Sequence, residues 1–259
     1  MLLVIDIGNT RTKWALADDS GKLSPTEFCL NANIAQANFP TAQVQSAVIA
    51  NVAGEAIARQ IIQLLQPLEP RFITASPQAC GVKNNYQNTL GADRWAALVA
   101  AWQSTKHATV VVNAGTAITI DCIGKDGAFL GGTIMPGLRL MHESLSKNTA
   151  LLSVDDANVN DFSADFPANT QEGIQTGCLN AVAGAIHLMQ KRLEKHSGWL
   201  PKLIISGGDA ANIAKALNTP ISNISTKQVI IIENLVLQGL VLLSKEALLS
   251  KEVQAKEIQ

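Results

Sequence analysis

Residues that build metal centres and disulfide frameworks are scarce in this sequence. Its 259 residues include only four cysteines and four histidines. Cys29, Cys80, Cys122 and Cys178 are scattered and form no C-x-x-C pair, so we expect free thiols rather than a zinc site. No basic segment precedes the first apolar run, which argues against a signal peptide. Together these absences predict a cytoplasmic protein.

Strong charge of one sign and long apolar runs are also missing. The 20 basic and 21 acidic residues give a net charge of −1, and no large basic block is present, so a dedicated nucleic-acid binder is not expected. No stretch approaches the roughly 20 apolar residues of a membrane span. With 47% apolar and 16% charged residues, the composition is that of a globular protein with one large domain or two of ordinary size.

The opening of the chain carries the most informative pattern. An apolar run ends at Asp6, the turn dipeptide Gly8-Asn9 follows, and a second apolar run begins after Lys13. This predicts a β-hairpin with strands over 2–7 and 11–17. Its turn can offer backbone N–H groups, the Thr10 hydroxyl and the Lys13 ammonium to a phosphate, while Asp6 can hold a hydrated Mg²⁺. A plain hairpin without a ligand remains the alternative.

A similar pattern recurs in the second half, with a strand over 108–114, the turn Gly115-Thr116 and a strand over 117–123. The repetition predicts a mixed α/β protein of two similar domains, 1–107 and 108–259, with a cleft between them and the last helix packing back on the first domain. The remaining pattern predicts strands near 23–30, 45–52, 72–74, 129–132, 202–206 and 229–232, helices over 54–65, 93–104, 138–146, 172–194, 210–217 and 235–249, and loops over 76–91 and 154–169.

Two glycine turns of the second half are candidate nucleotide contacts. Gly115-Thr116 can bind phosphate through its backbone and the threonine hydroxyl. Gly207-Gly208 follows a strand and precedes a helix, where close backbone approach favours a phosphate, ribose or base. Ordinary turns explain both patterns equally well.

A third candidate site opens the helix at 93–104. Asp93 is either a favourable first-turn acid or a general base aimed at a substrate hydroxyl. Arg94 can clamp a carboxylate bidentately. Tyr86, the single tyrosine, either caps apolar packing or contacts a small substrate.

Taken together, these motifs resemble the type III pantothenate kinase family over about residues 1–245. The resemblance rests on their order and spacing, and the motifs are Asp6-x-Gly8-Asn9-Thr10-x-x-Lys13, Tyr86 with Gly91-x-Asp93-Arg94, Gly115-Thr116-Ala117, Gly131-Gly132-x-Ile134-x-Pro136-Gly137, Asn169-Thr170 and Ser206-Gly207-Gly208-Asp209. It implies the fold of the acetate and sugar kinase/actin superfamily, with two ribonuclease-H-like domains.

The resemblance also implies a function and the residues that perform it. The function is ATP-dependent phosphorylation of pantothenate, the first step of coenzyme A synthesis, in a homodimer with Mg²⁺ and Asp93 as general base. Part of the pantothenate pocket, including Thr170, would come from the partner subunit. The implied pantothenate contacts are Tyr86, Gly91, Ala92, Asp93, Arg94 and Thr170, and the ATP contacts are Asp6, Ile7, Gly8, Asn9, Thr10, Arg11, Thr12, Lys13, Thr116, Gly207 and Gly208.

One position departs from the family pattern. Two residues before Gly115 the family usually has an acid that helps to bind a monovalent cation, whereas this chain has Asn113. A neutral amide offers an oxygen ligand without the charge. We therefore expect activation by K⁺ or NH₄⁺ to be weakened, lost or supplied otherwise.

Two other functions are compatible with parts of this pattern. A kinase of the same fold can act on a different sugar or carboxylate, since the fold alone does not determine the substrate. A regulator can bind ATP without turnover, in line with the transcriptional accessory roles linked to relatives. The intact Asp93 and Lys13 argue against the regulator.

Overall fold

The computed structural model describes residues 1–87, 89–148, 166–217 and 229–257 as a mixed α/β structure. Short 3₁₀ helices at Asn31–Gln36 and Thr41–Gln43 complete it. The strands are β1 Leu2–Ile7, β2 Arg11–Ala17, β3 Glu27–Leu30, β4 Ser46–Asn51, β5 Arg71–Phe72, β6 Gln78–Ala79, β7 Val82–Asn84, β8 Thr109–Ala114, β9 Ala117–Ile123, β10 Ala128–Pro136, β11 Lys202–Ser206 and β12 Val229–Ile231. The helices are α1 Glu55–Leu65, α2 Ala92–Thr105, α3 Leu138–Asn148, α4 Thr170–Ser197, α5 Ala210–Leu217 and α6 Leu235–Glu257.

The chain forms two compact units that no single cut in the sequence separates. Unit 1 comprises Met1–Lys106, Gly127–Leu130 and Asn234–Gln259, and unit 2 comprises His107–Asp126 and Gly131–Glu233. Helix α6 therefore belongs to unit 1, although it is the last helix of the chain.

Unit 1 is built on a sheet with the strand order β3-β2-β1-β4-β5. The first three strands are antiparallel neighbours, and β4 and β5 run parallel to β1. Alternate side chains of β1 point to opposite faces. Leu3, Ile5 and Ile7 pack in one apolar cluster with Ile61 of α1, so Asp6 lies on the other face.

Helix α2 is buried along most of its length, because apolar and small residues occupy all of its sides. Ten of the eleven positions from Ala92 to Trp102 are buried, and the exception is half-buried Asp93. Within unit 1 the helix packs against α6, β4 and β7. Such a helix has no solvent face along which it can slide or rotate, so its first turn is held in place.

In unit 2 the strands follow a corresponding order, β10-β9-β8-β11-β12, although the first residues of β10 belong to unit 1, where β7 and β6 continue the sheet. Strands β8 and β9 are antiparallel, and β11 and β12 run parallel to β8. The apolar cluster on one face joins residues such as Val112 and Ile205 to Ile186 of α4 and Ile213 of α5. The recurrence of the strand order agrees with the predicted repeat.

The boundaries differ from the sequence prediction in a few places. The predicted loop 76–91 contains the short strands β6 and β7. Helix α4 begins at Thr170 rather than 172, because Asn169 accepts a hydrogen bond from the Glu172 backbone N–H and the Glu172 carboxylate accepts one from Ala168. Helix α6 extends to Glu257. Most of the predicted loop 154–169 lies outside the described residues.

None of the described helices has both the length and the apolar character needed to cross a membrane.

We predict that Gly239→Ala destabilises unit 1, because an added Cβ would lie 1.9 Å from the Ala96 carbonyl oxygen where α6 meets α2. The free energy of unfolding, measured by denaturant titration, should fall by about 1–3 kcal/mol. The control is Gly184→Ala in α4, where no atom lies within 4 Å of the added Cβ. That change should stabilise by about 0.5–1 kcal/mol, and equal effects of the two substitutions would contradict the close approach.

Candidate functional site

The β1–β2 hairpin places Asp6 directly opposite Lys13. The two residues are partners in the antiparallel register, and their side chains share the sheet face that α2 and α6 cover. The Gly8 N–H donates to the Arg11 carbonyl at 3.0 Å and closes the turn. The turn predicted from Gly8-Asn9 is therefore present.

Asn31 supports this turn, although nothing in the sequence pattern singled it out. Its amide N–H donates to the Gly8 carbonyl at 2.7 Å, and its side-chain oxygen accepts from the Thr12 hydroxyl at 2.9 Å. Its backbone N–H donates to the Thr10 carbonyl. Three hydrogen bonds from one residue hold the turn in a single conformation.

The hairpin residues differ in what they can offer to a ligand. Ile7 and Thr12 are fully buried, and the Thr12 hydroxyl is engaged with Asn31, so any contact from these two residues comes from their backbone. Asn9 and Arg11 are exposed, and the Arg11 guanidinium lies 5.7 Å from the centre of the Phe28 ring.

The first turn of α2 holds the Asp93 carboxylate. Gly91 is the N-cap, and the Arg94 backbone N–H donates to Asp93 Oδ1 at 2.7 Å. A Cβ on Gly91 would lie 2.7 Å from that same oxygen and 3.6 Å from Val52. Glycine at position 91 thus leaves the space that the carboxylate occupies. Asp93 therefore makes the expected first-turn hydrogen bond through Oδ1. A general-base role is compatible with this bond, because the bond does not use Oδ2.

Asp6 and Asp93 influence each other electrostatically. Burial, followed by the negative charge of Asp93, raises the pKa of Asp6 to about 7, against a smaller lowering by Lys13. Burial also raises the pKa of Asp93, although the hydrogen bond from the Arg94 backbone and the Arg94 charge oppose this. Two half-buried carboxylates close enough to interact form a setting in which a bound cation is favourable.

Tyr86 and Arg94 are brought together in unit 1 with a third residue, Phe129. The Arg94 guanidinium carbon lies 5.5 Å from the centre of the Tyr86 ring and 5.7 Å from that of Phe129. The two rings are 5.5 Å apart with their planes inclined by 36°. Sequence reasoning did not identify Phe129, because an aromatic residue in a predicted strand gives no sign of which loop it will meet.

In unit 2, three glycines bring the predicted turns together at one edge of the sheet. A Cβ on Gly207 would lie 2.2 Å from the Ala114 carbonyl oxygen, and one on Gly137 would lie 2.2 Å from the Gly115 carbonyl oxygen. The Gly137 N–H donates to the Thr116 carbonyl at 2.9 Å. The turn after β8 therefore contacts both the turn after β11 and the turn after β10.

Asn113 lies near this edge, at the end of β8. Its register partners are Ser206 of β11 and Thr119 of β9, so the three side chains form a polar row on one face of the sheet. Ser206 and Thr119 are buried, whereas Asn113 is half-buried. The row contains oxygen ligands and no carboxylate.

Thr170 is the first residue of α4 and is exposed. It lies in unit 2, at an open and mainly apolar groove of about 430 Å³ between α3 and α4. The other lining residues are Met141, Leu145, Gly173, Ile174, Gly177, Cys178 and Ala181.

Within the described ranges, no group of three or more His, Cys, Asp or Glu side chains is arranged to hold a metal ion. Mg²⁺ commonly keeps several waters and uses only one or two carboxylates together with substrate phosphates. Asp6 suits that mode of binding, because its buried carboxylate lies near a second carboxylate and bonding to a cation would relieve their repulsion.

We predict that Asp6→Asn stabilises the protein at pH 8 more than at pH 4. Between about pH 4 and 7 folded Asp6 keeps a proton that the unfolded chain has lost, so the stability contributed by this group falls as the pH rises through that window. Above pH 7 the buried charge carries its full cost, and the asparagine removes it. The gain from the substitution should grow by about 1–3 kcal/mol across the window, after allowance for solvent screening of a half-buried group.

The measurement is denaturant unfolding in EDTA at several pH values. Asp19→Asn makes the same change at an exposed position of the β2–β3 turn and should leave the pH dependence unaltered. Parallel pH profiles for wild type and Asp6→Asn would contradict the raised pKa.

Comparison with known proteins assigns the family. The sequence model of type III pantothenate kinase matches residues 2–192. A type III pantothenate kinase of Nitrosospira multiformis is 36% identical over 252 residues, covering 95% of this chain and 92% of that protein. The corresponding enzyme of Methylobacillus flagellatus is 39% identical over 251 residues, with 92% and 96% covered.

Solved structures support the fold. A Campylobacter jejuni protein described as a conserved Baf family transcriptional activator matches with a TM-score of 0.62 at 24% identity, over 95% of this chain and 98% of that one. The ADPNP-bound activator of 2-hydroxyisocaproyl-CoA dehydratase from Clostridium difficile matches with a TM-score of 0.54 at 12% identity, over 98% and 97%. With a family model matched over residues 2–192 and relatives at 36% and 39% identity matched over most of its length, the chain belongs to the type III pantothenate kinase family.

Proposed function

We propose that this pantothenate kinase, an enzyme of coenzyme A biosynthesis, uses Asp93 as its general base. The observation that carries the proposal is the half-buried Asp93 carboxylate in the first turn of α2, next in sequence to Arg94, which contacts Tyr86. The primary hydroxyl of pantothenate attacks the γ-phosphorus of ATP, ADP leaves, and Asp93 accepts the hydroxyl proton. A pKa raised by burial makes this carboxylate a better proton acceptor than an exposed aspartate.

The β1–β2 turn is the proposed phosphate site of unit 1. Gly8, Asn9 and Thr10 contribute backbone N–H groups and a hydroxyl, and Lys13 contributes a positive charge. Asp6 would hold Mg²⁺, directly or through water, and the bound ion neutralises phosphate charge during transfer. Because Asn31 already holds the turn by three hydrogen bonds, its N–H groups need little rearrangement to receive a phosphate.

The adjoining glycine turns are the proposed nucleotide contacts of unit 2. Thr116 offers its hydroxyl, and Gly207-Gly208 offers exposed backbone between β11 and α5. Close packing of Gly207 on Ala114 supports this proposal, since it places both turns at the same sheet edge. We also propose that the two domains divide near residue 107, with α6 added to the first.

Pantothenate is proposed to contact Tyr86, Arg94 and the backbone of Gly91-Ala92. The guanidinium of Arg94 can pair with the pantothenate carboxylate in a bidentate arrangement. Tyr86 is 38% exposed, so its ring has a face available for the substrate as well as one for Arg94.

A homodimer in which Thr170 of one subunit contributes to the pocket of the other completes the proposal. The apolar groove beside Thr170 supports it, because small residues at Gly173, Gly177 and Ala181 allow another helix to approach closely. An enzyme of this kind would work in the cytoplasm, where its substrates ATP and pantothenate are used.

For the monovalent cation, we propose that Asn113 makes activation by K⁺ or NH₄⁺ weak. The polar row of Ser206, Asn113 and Thr119 has oxygen ligands only from hydroxyl and amide groups. Hard cations bind such neutral ligands less strongly than a carboxylate.

We predict that wild-type protein with Mg-ATP and pantothenate forms 4′-phosphopantothenate, detected by mass spectrometry, and that Asp93→Asn slows this reaction. The asparagine cannot accept the proton, so kcat should fall on the order of 10²–10⁴-fold. ATP affinity, measured by calorimetry, should change little because Asp93 is not a proposed ATP contact.

The matched control is Asp19→Asn, which should keep wild-type turnover. A loss of less than tenfold in Asp93→Asn would contradict the general-base role while leaving the kinase intact. Absence of product with ATP still bound would favour the nucleotide-binding regulator instead.

We further predict that Asn113→Asp creates a dependence on K⁺. In wild type, K⁺ should change kcat/KM by less than about twofold, whereas the variant should be stimulated by about fivefold or more because the new carboxylate is a charged oxygen ligand. Asn212→Asp in α5 adds the same charge elsewhere in unit 2 and should not respond. Strong K⁺ activation of the wild type would contradict the role assigned to Asn113.

A further inference from the structure

Phe129 contacts the two side chains proposed to bind pantothenate, yet it is itself closed off from solvent. Only 2% of it is exposed. Its ring lies 5.5 Å from the Tyr86 ring and 5.7 Å from the guanidinium carbon of Arg94. Its ring carries no polar atom, so its influence on binding passes through Arg94, which carries the charge, and through Tyr86, which is 38% exposed.

The Arg94 guanidinium is a buried cation that contacts both aromatic rings, so these contacts stabilise its charge. Arg94 is 6% exposed, so most of its hydration is lost on folding. The face of an aromatic ring attracts a cation, and this attraction is stronger when the pair is desolvated than when it is exposed to water. A planar guanidinium stacks on aromatic faces, so two ring contacts favour one orientation of the Arg94 group.

The strand that carries Phe129, β10, pairs with β7, and Tyr86 lies shortly after β7 in the chain. Phe129 pairs with Asn84 in the parallel register of β10 and β7. The side-chain oxygen of Asn84 accepts a hydrogen bond from the Tyr86 backbone N–H at 3.1 Å. The position of Tyr86 is thus coupled to the strand that supplies Phe129.

The start of β10 is itself tightly held within unit 1. Gly127 has φ of +80°, and a Cβ there would lie 2.3 Å from the Gly81 carbonyl oxygen and 3.1 Å from the Trp102 ring. Trp102 belongs to α2, the helix that also carries Arg94. Helix α2 therefore carries Arg94 in its first turn and also packs, through Trp102, against the residue that precedes the strand of Phe129.

We infer that Phe129 is a positioning residue for substrate binding: it orients the Arg94 guanidinium and the Tyr86 ring toward the carboxylate-bearing substrate. The inference rests on the proposed roles of Arg94 and Tyr86. Removal of the Phe129 ring weakens pantothenate binding and leaves ATP binding and the chemistry at Asp93 largely unchanged.

The kinetic test compares Phe129→Leu with Phe129→Tyr. Phe129→Leu should raise KM for pantothenate about tenfold, matching the loss of a desolvated cation–π contact, with KM for ATP and kcat altered less than about threefold. Phe129→Tyr keeps a ring and should restore KM to within about threefold of wild type. Phe39→Leu is the matched control, since Phe39 is a buried ring of unit 1 that contacts Trp14.

Two kinetic results would overturn the inference. One is an unchanged KM for pantothenate in Phe129→Leu. The other is equal losses in Phe129→Leu and Phe39→Leu, spread over KM and kcat, which would indicate a structural effect alone. If Phe129→Leu does not fold, Phe129→Met takes its place. In the Arg94→Gln background, Phe129→Leu should cost less than about threefold, because interacting residues are not additive.

A measurement without substrate separates this inference from the proposed function. In ¹⁵N-labelled protein, ring currents shift the Arg94 Nε–H resonance, which is assigned by its loss in Arg94→Lys. Phe129→Leu should move that resonance and Phe39→Leu should not. A wild type that forms no phosphopantothenate while Phe129→Leu moves the Arg94 resonance would refute the function and keep the positioning contact. An active wild type with an unmoved resonance would refute the positioning role alone.

Discussion

Packing around α2 determines where the charged side chains of its first turn lie. The helix is buried along its length and meets α6 where Gly239 approaches the Ala96 carbonyl. Its first turn carries Asp93 and Arg94, and its far end contacts the start of β10 through Trp102. A carboxylate and a guanidinium that begin a helix with so little freedom are held in place by the packing alone, which is the condition that the proposed proton transfer and substrate orientation would require.

The cost of this arrangement is electrostatic. Asp6 and Asp93 come from distant parts of the sequence and lie close enough that the charge of Asp93 raises the pKa of Asp6. Without a bound cation the pair opposes folding at neutral pH. The positive charges of Lys13 and Arg94 oppose that repulsion in part, and a Mg²⁺ ion held at the proposed site would offset more of it, so the feature that costs stability is also one suited to the proposed phosphoryl transfer.

In unit 2, glycines allow close backbone contacts between turns. Gly207 and Gly137 allow the turns after β11 and β10 to contact the turn after β8 with no room for a side chain. This brings Thr116 and the Gly207-Gly208 backbone to one edge of the sheet. The same strand order in unit 1 carries its own turn, which Asn31 stabilises by hydrogen bonds instead.

The sequence by itself determined most of the secondary structure, the repeated strand–turn–strand pattern and the motifs, because apolar alternation, turn glycines and helix periodicity are local signals. Asp6 at the end of a strand and Asp93 in the first turn of a helix were visible in this way. Only the tertiary structure decided that these carboxylates interact, that Asn31 holds the first turn, and that Phe129 lies against Tyr86 and Arg94. Those contacts join residues tens of positions apart, and their distances depend on how α2, α6 and the sheet of unit 1 pack, which no local pattern records.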